Sequence, residues 1–313
     1  MMSSEAPYVA VVGGVNVDIG GTPHTRMIPG DSNPGRITVS AGGVGRNIAE
    51  NLARLGLVVR MVTALGDDVH GEQIQQSCRE VGIDLSDSIT VRGARTSTYL
   101  CLNDADGEIV GAVSDMDIYR HLTPEVLSGR LEMLCGASLV VLDANLTPEA
   151  VRYLAEHVTA PIFADPVSVK KAGAFAPVLG QLTAIKPNRP EAALLTGVPI
   201  ESDADLPRAA RAFFDRGLPN VLISLGEKGV YFNDGTDSGI LPCLPMPVVN
   251  TSGCGDAFLA GCAAAFLEGR GLRDMARLGL AASAVCAQTD SAVSPDISRE
   301  LLERCLAAYP RAE

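Results

Sequence analysis

The sequence predicts an α/β protein built on a doubly wound, mostly parallel sheet flanked by helices. Three observations lead there: apolar runs of strand length recur between stretches of helical period, glycine clusters fall just after such runs, and only two stretches break the alternation. The run at 8–12 is apolar throughout, as a strand buried on both faces requires. Residues 20–40 show no helical period, and the glycine cluster Ala41-Gly42-Gly43-Val44-Gly45-Arg46-Asn47 then opens a helix over 45–55. A strand at 58–63 and a helix over 69–81 follow. The stretch 91–113 again lacks helical period, and Asn103-Asp104-Ala105-Asp106-Gly107 between two β-rich segments reads as a hairpin turn. Strands at 138–142, 161–164, 183–185 and 221–225 alternate with helices over 148–157 and 206–216. With no repeat, low-complexity tract or linker in view, residues 1–313 read as one domain, and the two irregular stretches either form a small separate sheet or are surface insertions.

Composition narrows the function classes. The net charge of −12 opposes nucleic acid as a partner, because that recognition leans on a basic surface. The start of the chain lacks the charged-then-apolar pattern of a signal peptide, and the longest apolar stretch, 257–267, is too short to span a bilayer. A cytoplasmic protein is expected. The eight cysteines include no Cys-x-x-Cys pair and the four histidines stand alone, so neither a disulfide framework nor a zinc site is expected. Most of the cysteines read as small buried hydrophobes, and the histidines as surface or loop residues.

The most chemical segment is Val249-Asn250-Thr251-Ser252-Gly253-Cys254-Gly255-Asp256, which runs straight into an apolar helix. At a helix N-terminus the first amides lack intrahelical acceptors and the dipole is positive, so Gly253, Cys254 and Gly255 can gather around a phosphate. Asp256 on the same turn can accept a proton from an attacking hydroxyl. An N-cap aspartate after an ordinary glycine loop reads equally well from this segment alone.

The glycine cluster at 42–47 tips the balance. Gly42-Gly43 with Asn47, followed far downstream by Gly253-Cys254-Gly255-Asp256, resembles the two signatures of the ribokinase-like (PfkB) carbohydrate and nucleoside kinases. The resemblance runs over nearly the whole chain. Its pseudouridine-kinase branch is the one most similar, through Gly13-Gly14-Val15-Asn16-Val17-Asp18, Asp31-Ser32-Asn33-Pro34-Gly35-Arg36, Ser114-Asp115-Met116-Asp117-Ile118, Asp165-Pro166-Val167-Ser168 and Lys186-Pro187-Asn188-Arg189-Pro190-Glu191. It implies a ribokinase-like fold whose irregular segments, about 20–40 and 91–113, form a β lid. It also implies ATP-dependent phosphorylation of the 5′-hydroxyl of pseudouridine, magnesium, and a homodimer joined through the lids. The alternatives are a family member acting on ribose, another nucleoside or a hexose, and a nucleoside-binding protein without turnover.

The same resemblance distributes the site residues. Asp256 becomes the catalytic base, with Gly253, Cys254 and Gly255 as the anion cradle. Asp18, at the end of the first strand, takes the ribose hydroxyls with Gly42, Gly43, Asn47 and Asn16. Ser32, Asn33, Thr98, Tyr99, Asp115 and Asp117 are the candidates to read the base. Nucleotide contacts fall to Ser224, Gly226, Lys228, Gly229 and Ser283, and Lys186 and Arg189 are phosphate candidates. Asn188 and Glu191 would organise magnesium through water, although Asn188 also reads as a helix cap. Arg46 either braces the lid or neutralises phosphate, and a solvated arginine is the plainer account.

Two departures from the family pattern stand out. Asn250 replaces a frequent aspartate, which makes potassium dependence doubtful. Cys254 replaces the common alanine and puts a thiol at a helix N-terminus, where the dipole favours thiolate; an inert buried thiol is the alternative.

Overall fold

A computed structural model describes residues 6–308. Its strands are β1 (Tyr8–Val12), β2 (Asn16–Pro23), β3 (Gly35–Gly42), β4 (Val58–Val62), β5 (Ala64–Gly66), β6 (Ile83–Asp84), β7 (Ile89–Val91), β8 (Thr98–Asn103), β9 (Ile109–Asp115), β10 (Leu139–Asp143), β11 (Ile162–Asp165), β12 (Ala184–Ile185), β13 (Asn220–Ser224), β14 (Val230–Asn233) and β15 (Ser238–Leu241). Nine of them form one sheet in the order β15-β14-β13-β12-β11-β10-β1-β4-β6. It is parallel from β13 to β6, and β14 and β15 close one edge antiparallel.

Alternation along β1 explains its unbroken apolar sequence. Val9 and Val11 enter one core, and Ala10 and Val12 enter the other. The first core lies under helices Val44–Arg54, Cys254–Leu267 and Leu272–Cys286. The second lies under Pro148–His157, Arg189–Thr196 and Leu206–Phe214. From β1 the chain winds outward to β4 and β6, then restarts at β10 on the other side of β1. That reversal opens a crevice beyond the carboxyl ends of β1 and β10, where doubly wound sheets bind ligands.

The elements read from sequence reappear with ends shifted by one or two residues, and helix Pro148–His157 matches the span read for it. The antiparallel pair β14–β15 was not read from sequence; these strands are short, at four residues each. A second, four-stranded sheet, β3-β2-β8-β9, collects the two irregular segments. It starts at Asn16 and ends at Asp115, earlier and later than the segments 20–40 and 91–113. Of the cysteines four are buried, Cys78, Cys262, Cys286 and Cys305, so half rather than most sit in the core.

One hydroxyl pins the second sheet to the first. The buried Tyr119, in the 3-10 segment Asp117–His121 just past β9, accepts from Val15 N–H at 2.8 Å and shares a hydrogen bond of 2.6 Å with Ser97 Oγ. Val15 precedes β2 and Ser97 precedes β8, so three strand roots meet at this point. Tyr119→Phe leaves the Val15 N–H unpartnered. Equilibrium urea unfolding is expected to show a loss of about 1–3 kcal/mol, the cost of stranding a buried donor.

Candidate active site

Asp18 lies on β2, the first strand of the small sheet, and not at the end of β1 as the sequence reading had it. The chain turns out of the main sheet at Gly13-Gly14, so the carboxylate faces the crevice from above. Gly42 lets it do so, because a Cβ there would lie 2.0 Å from Asp18 Oδ2. Asn16 donates to Asp18 Oδ1, and burial raises the Asp18 pKa against that bond and the nearby Arg46 charge. Asn16, Asp18, Gly43 and Asn47 line a cleft of about 800 Å³.

Asp256 joins this cleft through the lining residue Asn47. It is buried in the first turn of helix Cys254–Leu267, and Asn47 Nδ2, in the first turn of helix Val44–Arg54, donates to its Oδ2 at 2.9 Å. Burial, reinforced by the charge of Asp165, pushes Asp256 up to about 8, while the Asn47 hydrogen bond and the Lys186 charge pull it back. Lys186 is buried within 3.1 Å of Asp165 Oδ2, and burial alone would lower its pKa; the surrounding carboxylates raise it instead. A cation is therefore held ready beside a carboxylate that resists ionising.

The anion turn has a defined shape. Gly253 has φ 76°, and a Cβ on it would strike Ala292 O at 1.8 Å. The Cys254 amide turns back to Thr251 O at 3.3 Å, so it is partly spent, whereas among the described residues no intrachain acceptor takes the amides of Gly253, Gly255 or Asp256. The Cys254 thiol points at Ser283 O (3.6 Å), and a hydrogen bond with Cys286 lowers its pKa. Ser283 Oγ donates to Cys254 O at 2.7 Å and so braces the turn from behind.

Asn188 and Glu191 form a reciprocal capping box, each side chain accepting from the other's backbone N–H at 2.9 Å. The cap reading is thus realised, and burial raises the Glu191 pKa. Among the described residues no group of three acidic, His or Cys side chains could hold a metal directly. This donor set suits a hydrated magnesium brought by phosphates rather than a protein cage. Ser224 donates to Pro187 O at 3.4 Å beside Gly226 and Gly229, and Lys228 and Arg189 share Asp203 at the surface. Asn250 is spent on Ser252 N–H and Asp290 O.

Several base-reading candidates fall elsewhere. Asp18, Tyr99 and Ser114 are in register across β2, β8 and β9, and Tyr99 and Ser114 join Asp18 in lining the cleft. Thr98 and Asp115 sit one residue away, so the pleat turns them to the opposite face. Ser32 and Asn33 lie in an exposed loop where Asn33 bonds Ile28 and Asp31, and Asp117 is exposed beside Arg120. Arg46 is buried rather than solvated: it pairs with Glu50 at 2.8 Å and donates to Ser77 Oγ at 2.6 Å and Ala41 O at 3.4 Å, bracing β3. Sequence reading missed Asn145, Ser168 and Lys171 in the cleft wall, with Lys171 Nζ donating to Asn145 Oδ1 at 2.5 Å. Their signal was position, since they follow the carboxyl ends of β10 and β11.

Comparison with known proteins identifies the class to which this fold and site belong. The pfkB family carbohydrate kinase model matches residues 6–299. The chain is 37% identical over 301 residues to the uncharacterized sugar kinase YeiI of Escherichia coli K12, covering 95% of this chain and 83% of that protein. It is 34% identical over 296 residues to the pseudouridine kinase of the same organism, covering 94% and 95%. A solved carbohydrate kinase from Agrobacterium tumefaciens superposes with a TM-score of 0.87 at 32% identity, covering 98% and 99%. The chain belongs to the pfkB carbohydrate kinase family, whose members are phosphotransferases with alcohol acceptors.

The raised Asp256 pKa carries a stability cost. Between 3.8, the ordinary value, and about 8 the native carboxyl holds a proton that the unfolded chain has released, so stability falls as pH rises through that window. Asp256→Asn removes this slope. Its melting temperature is expected to exceed that of the wild type by a margin that grows from pH 5 to pH 8; a constant or shrinking margin contradicts the assignment.

Proposed function

We propose that this protein transfers the γ-phosphoryl group of ATP to the 5′-hydroxyl of pseudouridine, yielding pseudouridine 5′-phosphate. The observation that carries the reading is the Asn47–Asp256 hydrogen bond, which joins the anion turn to the cleft holding Asp18. Asp18 and Asn16 take the vicinal ribose hydroxyls, and the far end of the sugar then points its 5′-hydroxyl toward Asp256. In its ionised form, favoured by the Asn47 hydrogen bond and the Lys186 charge, Asp256 takes the hydroxyl proton as the oxygen bonds to phosphorus. The Gly253 and Gly255 amides and Lys186 hold the charge on the transferring group. Glu191 and Asn188 would hold magnesium through its waters, and the ion would supply further charge neutralisation.

The two E. coli relatives are similarly identical to this chain but differ in the acceptor their names suggest, so the choice of acceptor rests on the cleft. Beyond the ribose position its wall carries Tyr99, Ser114, Asn145, Ser168 and Lys171. Lys171 supplies a donor for a carbonyl oxygen, and the hydroxyl and amide oxygens supply acceptors for the additional ring N–H of pseudouridine. A free sugar would leave these groups unmatched. Turnover measured in parallel on pseudouridine, uridine, ribose and fructose should favour pseudouridine, and a preference for a free sugar overturns the acceptor. Asp256→Asn should lower kcat by about 10²–10⁴-fold with little change in nucleotide affinity.

The opposite face of the small sheet supports a homodimer joined through the lids. It exposes Ile37, Val39, Leu100, Leu102 and Val113, which share the parity of Thr98 rather than that of Asp18. Light scattering on wild type and on Val39→Asp/Val113→Asp is expected to show a dimer and a monomer; a wild-type monomer at micromolar concentration rejects it.

A further inference from the structure

Val167 is the one residue other than glycine with positive φ among the described residues, at 64°. A β-branched side chain is strained there, and such strain persists only where the surroundings impose it. The imposing contacts are visible. Ser168 N–H donates to Pro166 O at 2.6 Å, closing a γ-turn around Val167, and Val167 N–H donates to Asp165 Oδ1 at 2.8 Å. The turn so held forms part of the cleft wall.

The other oxygen of the same carboxylate faces the phosphate side. Asp165 Oδ2 lies 3.1 Å from Lys186 Nζ, a charge contact without an aligned hydrogen bond. That Nζ in turn stands 2.9 Å from where a Cβ on Gly255 would be, directly over the anion turn. Asp165 itself is buried at the last position of β11, and Ala144 N–H fixes its carbonyl at 3.0 Å. One carboxylate, on a fixed backbone, therefore has an oxygen on each site.

We propose that Asp165 is a positioning residue that couples the two sites, with the Val167 turn as its strained element. A phosphate settling on the Gly255 amide competes for Lys186 and loosens its off-axis contact with Oδ2. The carboxylate then reorients, and the turn held by Oδ1 shifts against the acceptor. Coupling is reciprocal, so nucleotide and acceptor each tighten the other's binding. The idea rests on the chain's being a sugar or nucleoside kinase and not on pseudouridine.

The test uses the full-length protein and whichever of pseudouridine, uridine, ribose and fructose the wild type turns over fastest. Failure of pseudouridine in that panel removes the acceptor proposed above and leaves the present test intact. Acceptor affinity is measured by calorimetry with and without a non-hydrolysable ATP analogue and magnesium. In the wild type the analogue should tighten acceptor binding by about fivefold or more. Asp165→Asn keeps an acceptor for Val167 N–H but loses the charge on Lys186, and the tightening should fall to within about twofold of none. Val167→Gly should raise the melting temperature by relieving the backbone while raising acceptor KM about fivefold or more, with kcat changed less. A merely structural turn would gain stability without the KM change. Undiminished tightening in Asp165→Asn, no tightening in wild type, or an unchanged acceptor KM in Val167→Gly overturns the proposal.

Discussion

The site depends on one hydrogen bond between residues 209 positions apart, from the Asn47 amide to the Asp256 carboxylate. Each partner sits in the first turn of a buried helix, and the two helix starts meet because both helices pack on the same face of the sheet. Neither side chain has room to wander, so the geometry is set by core packing rather than by loop conformation. A constellation of side chains held by rigid elements loses little freedom when a ligand arrives. The main-chain cradle at Gly253 and Gly255 is fixed by the same helix, and the cleft residue Asn47 by the other.

Electrostatics follow from that packing. Asp165 and Asp256 are buried around a buried lysine, Lys186, and the buried Asp143 acts on both carboxylates. Asp143 spends its oxygens on the amides of Gly14 and Asn145 at 2.8 Å each, which anchors the turn out of β1 and the wall after β10. Asp165 divides its oxygens between two neighbours. Asp256 accepts one hydrogen bond from Asn47 and keeps a raised pKa because of its burial. Three carboxylates at neighbouring positions thus acquire three tasks from their surroundings.

The small sheet works by strand parity. One face presents Asp18, Tyr99 and Ser114 to the cleft, and the other exposes an apolar row to solvent. Because the side-chain period is two, a slip of one residue would exchange these faces, so the Tyr119 pin at the strand roots protects function as well as stability. Arg46 adds a second brace, reaching from the helix start to the carbonyl of Ala41 on β3.

The sequence by itself determined the α/β class, the strand–helix order and the anion turn, because apolar periodicity and the glycine–aspartate spacing are local properties. It also singled out Asp18, Asn47, Lys186 and Asp256, whose motifs are contiguous. It misplaced Thr98, Asp115, Ser32 and Asn33, since which face a strand residue takes and whether a loop folds inward are decided by pairing partners far along the chain. Only the tertiary structure put Asn145 and Lys171 on the cleft wall and gave Asp165 an oxygen for each site. Those relations join strands and helices that are separate in sequence, and burial, which sets their charges, exists only once the chain has folded.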